Sequence, residues 1–289
     1  MNEKIFNTGR ISINYVESGT GDITILLLHG GSSRLQTFKD LIPELAGKYH
    51  VYAIDLRGHG KTDRVSGQYK IQDYVTDVKE FIEMRIQKQV IVFGHSLGGM
   101  IAELLAAYYP KIVKAIIIGD SPISLGVLKK HSDDQKEMTM LWREWSRTMN
   151  VEEIAEELKR MQVAIPGEDN TVPAYEVFGK NHPWFDFMAE SLKQNDPDML
   201  TSIIDRFDET YSAYNIDRIF LQIKCPVLII KGEEKHGSLI RNIDISHAQT
   251  LIGNLKYIEI KGVGHALYMQ NLEAVVKAII EFVDEYSKA

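Results

Sequence analysis

One cysteine, Cys225, stands in a chain of 289 residues, so no internal disulfide can form and no cysteine cluster can hold a metal. It precedes Pro226 at the foot of an apolar run and reads as a small buried core residue. No apolar run approaches the ~20 residues that a membrane helix needs, which excludes a membrane-spanning helix. The first residues, MNEKIFNTGRISINYVESG, carry charge early and lack an apolar h-region, so no secretory signal is read and a cytoplasmic location is expected. An excess of positive charge is missing too. Lysine and arginine total 33 against 40 acidic residues, a net charge of −7, which argues against nucleic acid or an anionic membrane as partner. Internal repeats and low-complexity linkers are absent.

The composition, 44% hydrophobic and 25% charged, is that of a soluble globular protein large enough for one core with an inserted lobe. The most informative stretch is Val90–Tyr109, in which a short β-branched run meets Gly94-His95-Ser96-Leu97-Gly98 and then a helical pattern marked by Met100, Ile101, Leu104, Leu105 and Tyr108. It reads as strand, sharp turn, helix. Gly-x-Ser-x-Gly at such a junction is a nucleophile elbow: the serine takes a strained conformation, and only small residues two places before and after it avoid a clash. The Ser96 hydroxyl is thereby lifted clear of the sheet, and the first N–H groups of the helix point above it.

Strand and helix alternate up to residue 121. Ile11–Glu17 alternates like a half-buried strand, and Ile23–Leu28, Val51–Ile54, Val90–Phe93 and Val113–Ile118 are apolar runs that suit strands buried on both faces of a parallel sheet. Helices are expected over Leu35–Leu45 and Ile71–Ile86. The loop His29-Gly30-Gly31-Ser32 follows a buried strand, where glycines let the backbone approach a ligand and leave N–H groups free for an anion. Asp55-Leu56-Arg57-Gly58-His59-Gly60 reads as a structural corner held by its own hydrogen bonds.

After Pro122 buried strands stop for about ninety residues, and helical stretches rich in Trp, Met and Glu take over. Asn150 with Glu153 three places on marks one helix start, followed by the apolar stripe Val151, Ile154, Leu158 and Met161. All three tryptophans (Trp142, Trp145, Trp184) and six of the ten methionines lie in this segment, enough large side chains for a small core of its own. From Ile123 to Ile216 there are 18 acidic and 10 basic residues, against 22 and 23 in the remainder. Charge of that sign disfavours an anionic substrate wherever it faces a site. Strands resume at Val227–Lys231 and Leu255–Ile260, and an amphipathic helix over Leu272–Tyr286 ends the pattern.

With Gly94-His95-Ser96-Leu97-Gly98-Gly99, His29-Gly30-Gly31, Asp55-Leu56-Arg57-Gly58-His59-Gly60 and Gly262-Val263-Gly264-His265 in this order, the chain resembles the α/β-hydrolase superfamily over roughly residues 10–121 and 217–286. The resemblance implies an α/β fold, a mostly parallel central sheet with helices on both faces, in which residues 1–121 and 217–289 form the core and 122–216 a helical cap. It further implies Ser96 as nucleophile, His265 as general base, and the backbone N–H groups of Leu97 and Gly31 as oxyanion hole. His265 is the histidine of choice among nine, since it sits past the last strand between small residues. His95 and His29 read as structural.

The acid departs from the family pattern. Where relatives most often carry an Asp, three residues after the glycine that ends the strand equivalent to Val227–Lys231, this chain has Lys235. A lysine can neither accept the histidine N–H nor stabilise an imidazolium. Asp120, at the end of the strand after the elbow helix, and Glu233, close to the usual place, are the two candidates. The expected activity is that of a serine hydrolase of the acyl-enzyme type on a small to medium, neutral, largely apolar ester, with thioester, amide or carbon–carbon bonds as variants. No metal or organic cofactor is expected, and the partner is a small-molecule substrate. A non-catalytic ligand-binding or signalling protein on the same fold is the alternative, and Lys235 is the feature that feeds it.

Overall fold

The computed structural model of the chain describes residues 1–164 and 171–287. Its main sheet is built from β1 (Glu3–Asn7), β2 (Ser12–Ser18), β3 (Thr24–Leu28), β4 (His50–Ile54), β5 (Val90–His95) and β6 (Val113–Gly119), then β9 (Val227–Lys231) and β10 (Leu255–Glu259). A short antiparallel ribbon, β7 (Gln162–Ala164) with β8 (Thr171–Pro173), stands apart from it. The order across the eight-stranded sheet is β1-β2-β4-β3-β5-β6-β9-β10. Only β1 with β2 and β2 with β4 run antiparallel, and the other pairs are parallel.

The pleat explains why the central strands are apolar at every position. In β3, Leu26 and Leu28 join a cluster with Ile71, Tyr74, Val78, Ile101 and Leu104. Ile25 and Leu27 turn to the opposite face, against Leu41, Leu45, Val275, Ile279 and Phe282. Successive side chains point to opposite faces, so a strand covered on both sides needs hydrophobic residues throughout. Helices Ile71–Phe81 and Leu97–Tyr108 cover one face, and helices Leu41–Ala46 and Leu272–Ser287 the other.

Three sequence expectations are corrected. The helix expected over Leu35–Leu45 is broken into a 3₁₀ turn, Leu35–Phe38, and an α-helix, Leu41–Ala46. Pro43 explains the break, because proline has no N–H to donate and is tolerated in a first turn rather than an interior. Helix Ile71–Phe81 continues over Ile82–Ile86 as a wider π turn, which ends at Gln87 with φ 59°. Tyr108, expected on the buried face of the elbow helix, is 41% exposed because the helix has reached its last turn.

Between β6 and β9 the regular elements among the described residues are helices and the β7–β8 ribbon. The Asn150–Glu153 capping box forms as expected, with Glu153 N–H donating to Asn150 Oδ1 at 2.9 Å and Asn150 N–H to Glu153 Oε2 at 2.8 Å. Trp145, Ile154, Leu158, Phe185 and Leu192 make a small separate core. Met199, Leu200, Phe207 and Tyr211 instead join the larger cluster on one face of the sheet, so the segment packs onto the main body as well as onto itself. Among the described residues no helix is long and apolar enough to cross a membrane.

Candidate active site

Ser96 occupies the corner between β5 and helix Leu97–Tyr108 with φ 51° and ψ −117°, a region that costs a non-glycine residue of order 1–3 kcal/mol. The surrounding backbone enforces it. A Cβ on Gly94 would lie 2.1 Å from the carbonyl oxygen of Gly98, and one on Gly98 2.2 Å from that of Leu28. The turn can therefore close only with glycine at both places, and closing it puts Ser96 at the wall of a cavity of about 330 Å³.

His265 lines the same cavity, carried there by the loop after β10. Its Nδ1 lies 2.8 Å from Asp120 Oδ2. Asp120 follows β6, is fully buried, and has a positive φ of 42°. It accepts from the Leu239 N–H at 3.0 Å, more weakly from the Gly232 N–H at 3.4 Å, and from the Ser238 hydroxyl. Burial pushes its carboxyl up, but the hydrogen bond and charge of His265, with Ser238 and Leu239, outweigh burial and hold it below the ordinary carboxylate value. An ionised carboxylate on Nδ1–H leaves Nε2 as the basic nitrogen.

The structure does not bring Glu233 to His265. Its carboxylate accepts from the Gly262 N–H at 2.7 Å and pairs with Lys235 at 3.4 Å and Lys261 at 3.7 Å. The Gly262 N–H, then the Lys235 ammonium, hold it below its ordinary value. Glu233 thus ties the loops after β9 and β10 together. The loop where the family usually places its acid supplies Ser238 and Leu239 to Asp120 instead. Neither residue carried a periodic or motif signal in the sequence.

Gly31 and Leu97 both line the cavity, and among the described residues neither N–H has an acceptor. Two buried histidines fix the loop that presents Gly31. His29 accepts the Leu56 N–H on Nε2 at 3.0 Å, so its Nδ1–H donates to the Gly30 carbonyl at 2.7 Å. His59 accepts the Ser32 N–H on Nε2 at 3.2 Å and donates from Nδ1 to the Arg57 carbonyl at 2.8 Å. Burial lowers both, to about 4 for His29 and about 3 for His59, so both stay neutral. Asp55 accepts from Leu35 N–H, Lys61 N–H and Asn14, which makes the Asp55–Gly60 stretch the structural corner that its composition suggested.

The cavity is lined further by the apolar Leu200, Ile203, Phe207 and Tyr211 and by a strip that includes His131, Gln135, Thr139 and Trp142. The His131 ring centre lies 6.4 Å from that of His265. Burial, then the neighbouring His265, lower His131, against Asp134. The sequence had not singled out His131.

A family described as the alpha/beta hydrolase fold matches residues 23–166. The chain is similar to 2-(acetamidomethylene)succinate hydrolase from Mesorhizobium japonicum, at 24% identity over 96% of this chain and 93% of that one. Among solved structures it resembles E-2-(acetamidomethylene)succinate hydrolase, with a TM-score of 0.75 and 21% identity over 98% and 99% of the two chains. It also resembles the enol-lactonase from Burkholderia xenovorans LB400, with a TM-score of 0.74 and 17% identity over 97% and 100%.

Proposed function

The chain belongs to the α/β-hydrolase superfamily and is an enzyme of the hydrolase class, and on that premise we propose that it is a serine hydrolase acting through an acyl-enzyme on a small to medium, neutral, largely apolar ester. The observation that carries this reading is the 2.8 Å bond between Asp120 and His265 Nδ1, in a histidine that shares its cavity with the elbow serine. Ser96 Oγ attacks the carbonyl as His265 Nε2 takes its proton, and the N–H groups of Leu97 and Gly31 receive the oxyanion. His265 then hands the proton to the leaving oxygen and activates water for deacylation. Asp120 fixes the tautomer and stabilises the imidazolium.

Residues 122–216 act as the cap over this centre, with 1–121 and 217–289 as the core, and the partner is a small molecule. Among the described residues no lysine or arginine lines the cavity, which supports a neutral substrate rather than the succinate derivative in the name of the Mesorhizobium relative. The non-catalytic alternative rested on a histidine without an orienting acid, and the 2.8 Å contact of Asp120 with His265 Nδ1 supports the catalytic reading over it.

Treatment with a fluorophosphonate, followed by intact-mass analysis and peptide mapping, tests the reading. The expected result is one adduct on Ser96, absent in Ser96→Ala and His265→Ala. Folded wild-type protein that stays unlabelled and turns over no member of an ester panel overturns it.

A further inference from the structure

The polar strip of the cavity has an order. His131, Gln135 and Thr139 are spaced by four residues, and the backbone is continuous through them although helices Leu125–Asp134 and Lys136–Thr148 meet at Gln135. Gln135 N–H donates to the His131 carbonyl at 3.0 Å, and Thr139 N–H to the Gln135 carbonyl at 2.9 Å. Side chains four apart on such a run lie about 5–6 Å from one another on one face. The strip therefore starts beside His265, at the His131 ring, and leads away from the reacting centre one helical turn at a time.

Its members differ in what they have left to offer. The Thr139 hydroxyl already donates to the Gln135 carbonyl at 2.9 Å, so only its acceptor lone pair is free. Among the described residues the side chains of His131, Ser132 and Gln135 have no hydrogen-bond partner, yet all three line the cavity. Between them they present N–H and O–H donors together with oxygen and nitrogen acceptors. Leu200, Ile203, Phe207 and Tyr211, which line the same cavity, present chiefly hydrocarbon and aromatic surface. A substrate arm in this cavity therefore meets apolar surface together with groups that both donate and accept. A carboxylate on that arm would find no lysine or arginine among the described lining residues. A plain alkyl chain would strip water from His131, Ser132 and Gln135 without replacing the lost hydrogen bonds.

Resting on the serine-hydrolase reading, we propose that the preferred substrate is a neutral ester or lactone with an uncharged donor-and-acceptor group, a secondary amide or a hydroxyl, on the arm beside His131 and Gln135. Gln135 is the main specificity determinant, because its amide offers both a donor and an acceptor one turn out from the reacting centre.

The experiment compares matched esters in one assay: p-nitrophenyl hexanoate, its isostere p-nitrophenyl 3-acetamidopropanoate, and the p-nitrophenyl half-ester of adipate. A second series places the same three groups in the alcohol arm. The amide-bearing ester is expected to exceed the alkyl ester in kcat/KM by about tenfold or more in one of the two series, with the half-ester below both. Gln135→Leu is expected to lower the amide-to-alkyl ratio by about tenfold, and Gln135→Asn to restore part of it. The ratio is read within one preparation, so partial misfolding, which lowers both rates together, does not move it. Ester turnover with Ser96 labelled but an amide-to-alkyl ratio near one in both series overturns this inference and leaves the serine hydrolase standing. A ratio unchanged in Gln135→Leu overturns it as well. Loss of both labelling and turnover in folded wild-type protein overturns both readings.

Discussion

His95 and His265 meet twice: His95 Nε2 lies 2.8 Å from the His265 carbonyl oxygen, and the two rings lie 4.7 Å apart at 34°. The acceptor is a carbonyl, so Nε2 carries the proton and donates. Burial, then the nearness of His265, lower His95 to about 4, which keeps it uncharged beside the imidazole proposed to accept a proton. The residue inside the elbow thus holds the backbone of the residue proposed to serve it. His95→Phe keeps a ring and removes the donor, and kcat on an ester is expected to fall about tenfold, the scale of one hydrogen bond. His95→Gln, which keeps an N–H, is expected to recover part of the loss. A wild-type kcat in His95→Phe would remove this role.

Asp120→Asn leaves a side chain of the same shape that no longer fixes the histidine tautomer. A loss in kcat on the order of 10³–10⁴ is expected, the scale of the corresponding change in a serine-protease triad. Glu233→Gln is expected to stay within about threefold, because Glu233 meets Gly262, Lys235 and Lys261 and not His265. Steady-state kinetics on one activated ester decides between them, and equal losses would mean that the acid is shared or lies elsewhere.

Gly98→Ala places a Cβ 2.2 Å from the Leu28 carbonyl oxygen, so β3 and the elbow cannot keep their spacing. The expected outcome is loss of fluorophosphonate labelling together with a melting temperature lower by several degrees, since overpacking of this kind costs about 1–3 kcal/mol. Retained labelling at an unchanged melting temperature would show that the elbow is looser than its contacts imply.

Glu103, on the elbow helix, is fully buried and raised by that burial to about 8. Tyr214 Oη contacts both its carboxyl and the Pro122 carbonyl, the latter at 3.0 Å. The Tyr214 hydroxyl donates to the carboxyl, which lowers it, and burial outweighs that bond. Between the unfolded value near 4.5 and about 8 the folded state holds a proton that the unfolded state has released. Stability from this group is therefore complete below that window and declines as pH rises through it, by at most about 1.4 kcal/mol per pH unit. Urea midpoints at pH 5, 6.5 and 8 should fall more steeply for wild type than for Glu103→Gln. Parallel curves would contradict the protonated assignment.

The central strands were legible in the sequence because burial on both faces demands an unbroken apolar run, and β3, β5, β6 and β9 all have one. β1 escaped notice because it is an edge strand, with only Ile5 and Phe6 apolar and neither buried. Ser96 stood out as a candidate because elbow geometry demands glycine at fixed offsets, and His265 because it follows the last strand between small residues. The choice between Asp120 and Glu233 was not legible, because it depends on which strands are neighbours. β6 lies beside β9, and that adjacency puts Asp120 within reach of Gly232, Ser238 and Leu239. His131 stayed hidden because a single polar residue on a half-exposed helix has no signature until the fold brings it beside His265.

The same adjacency separates two lengths that a polymer would otherwise link. Asp120 and its partners lie 112 to 145 residues apart along the chain, but the sheet closes that loop at its base through the bonded pair β6 and β9. The entropy of closing a loop grows only with the logarithm of its length, about 0.6 kcal/mol for each doubling. Lengthening or trimming the chain between these strands therefore carries a small thermodynamic penalty and leaves the carboxylate where it is. The inserted helices form the cavity wall, while the strands beneath hold Asp120. A chain built this way can exchange the cavity wall without moving Asp120.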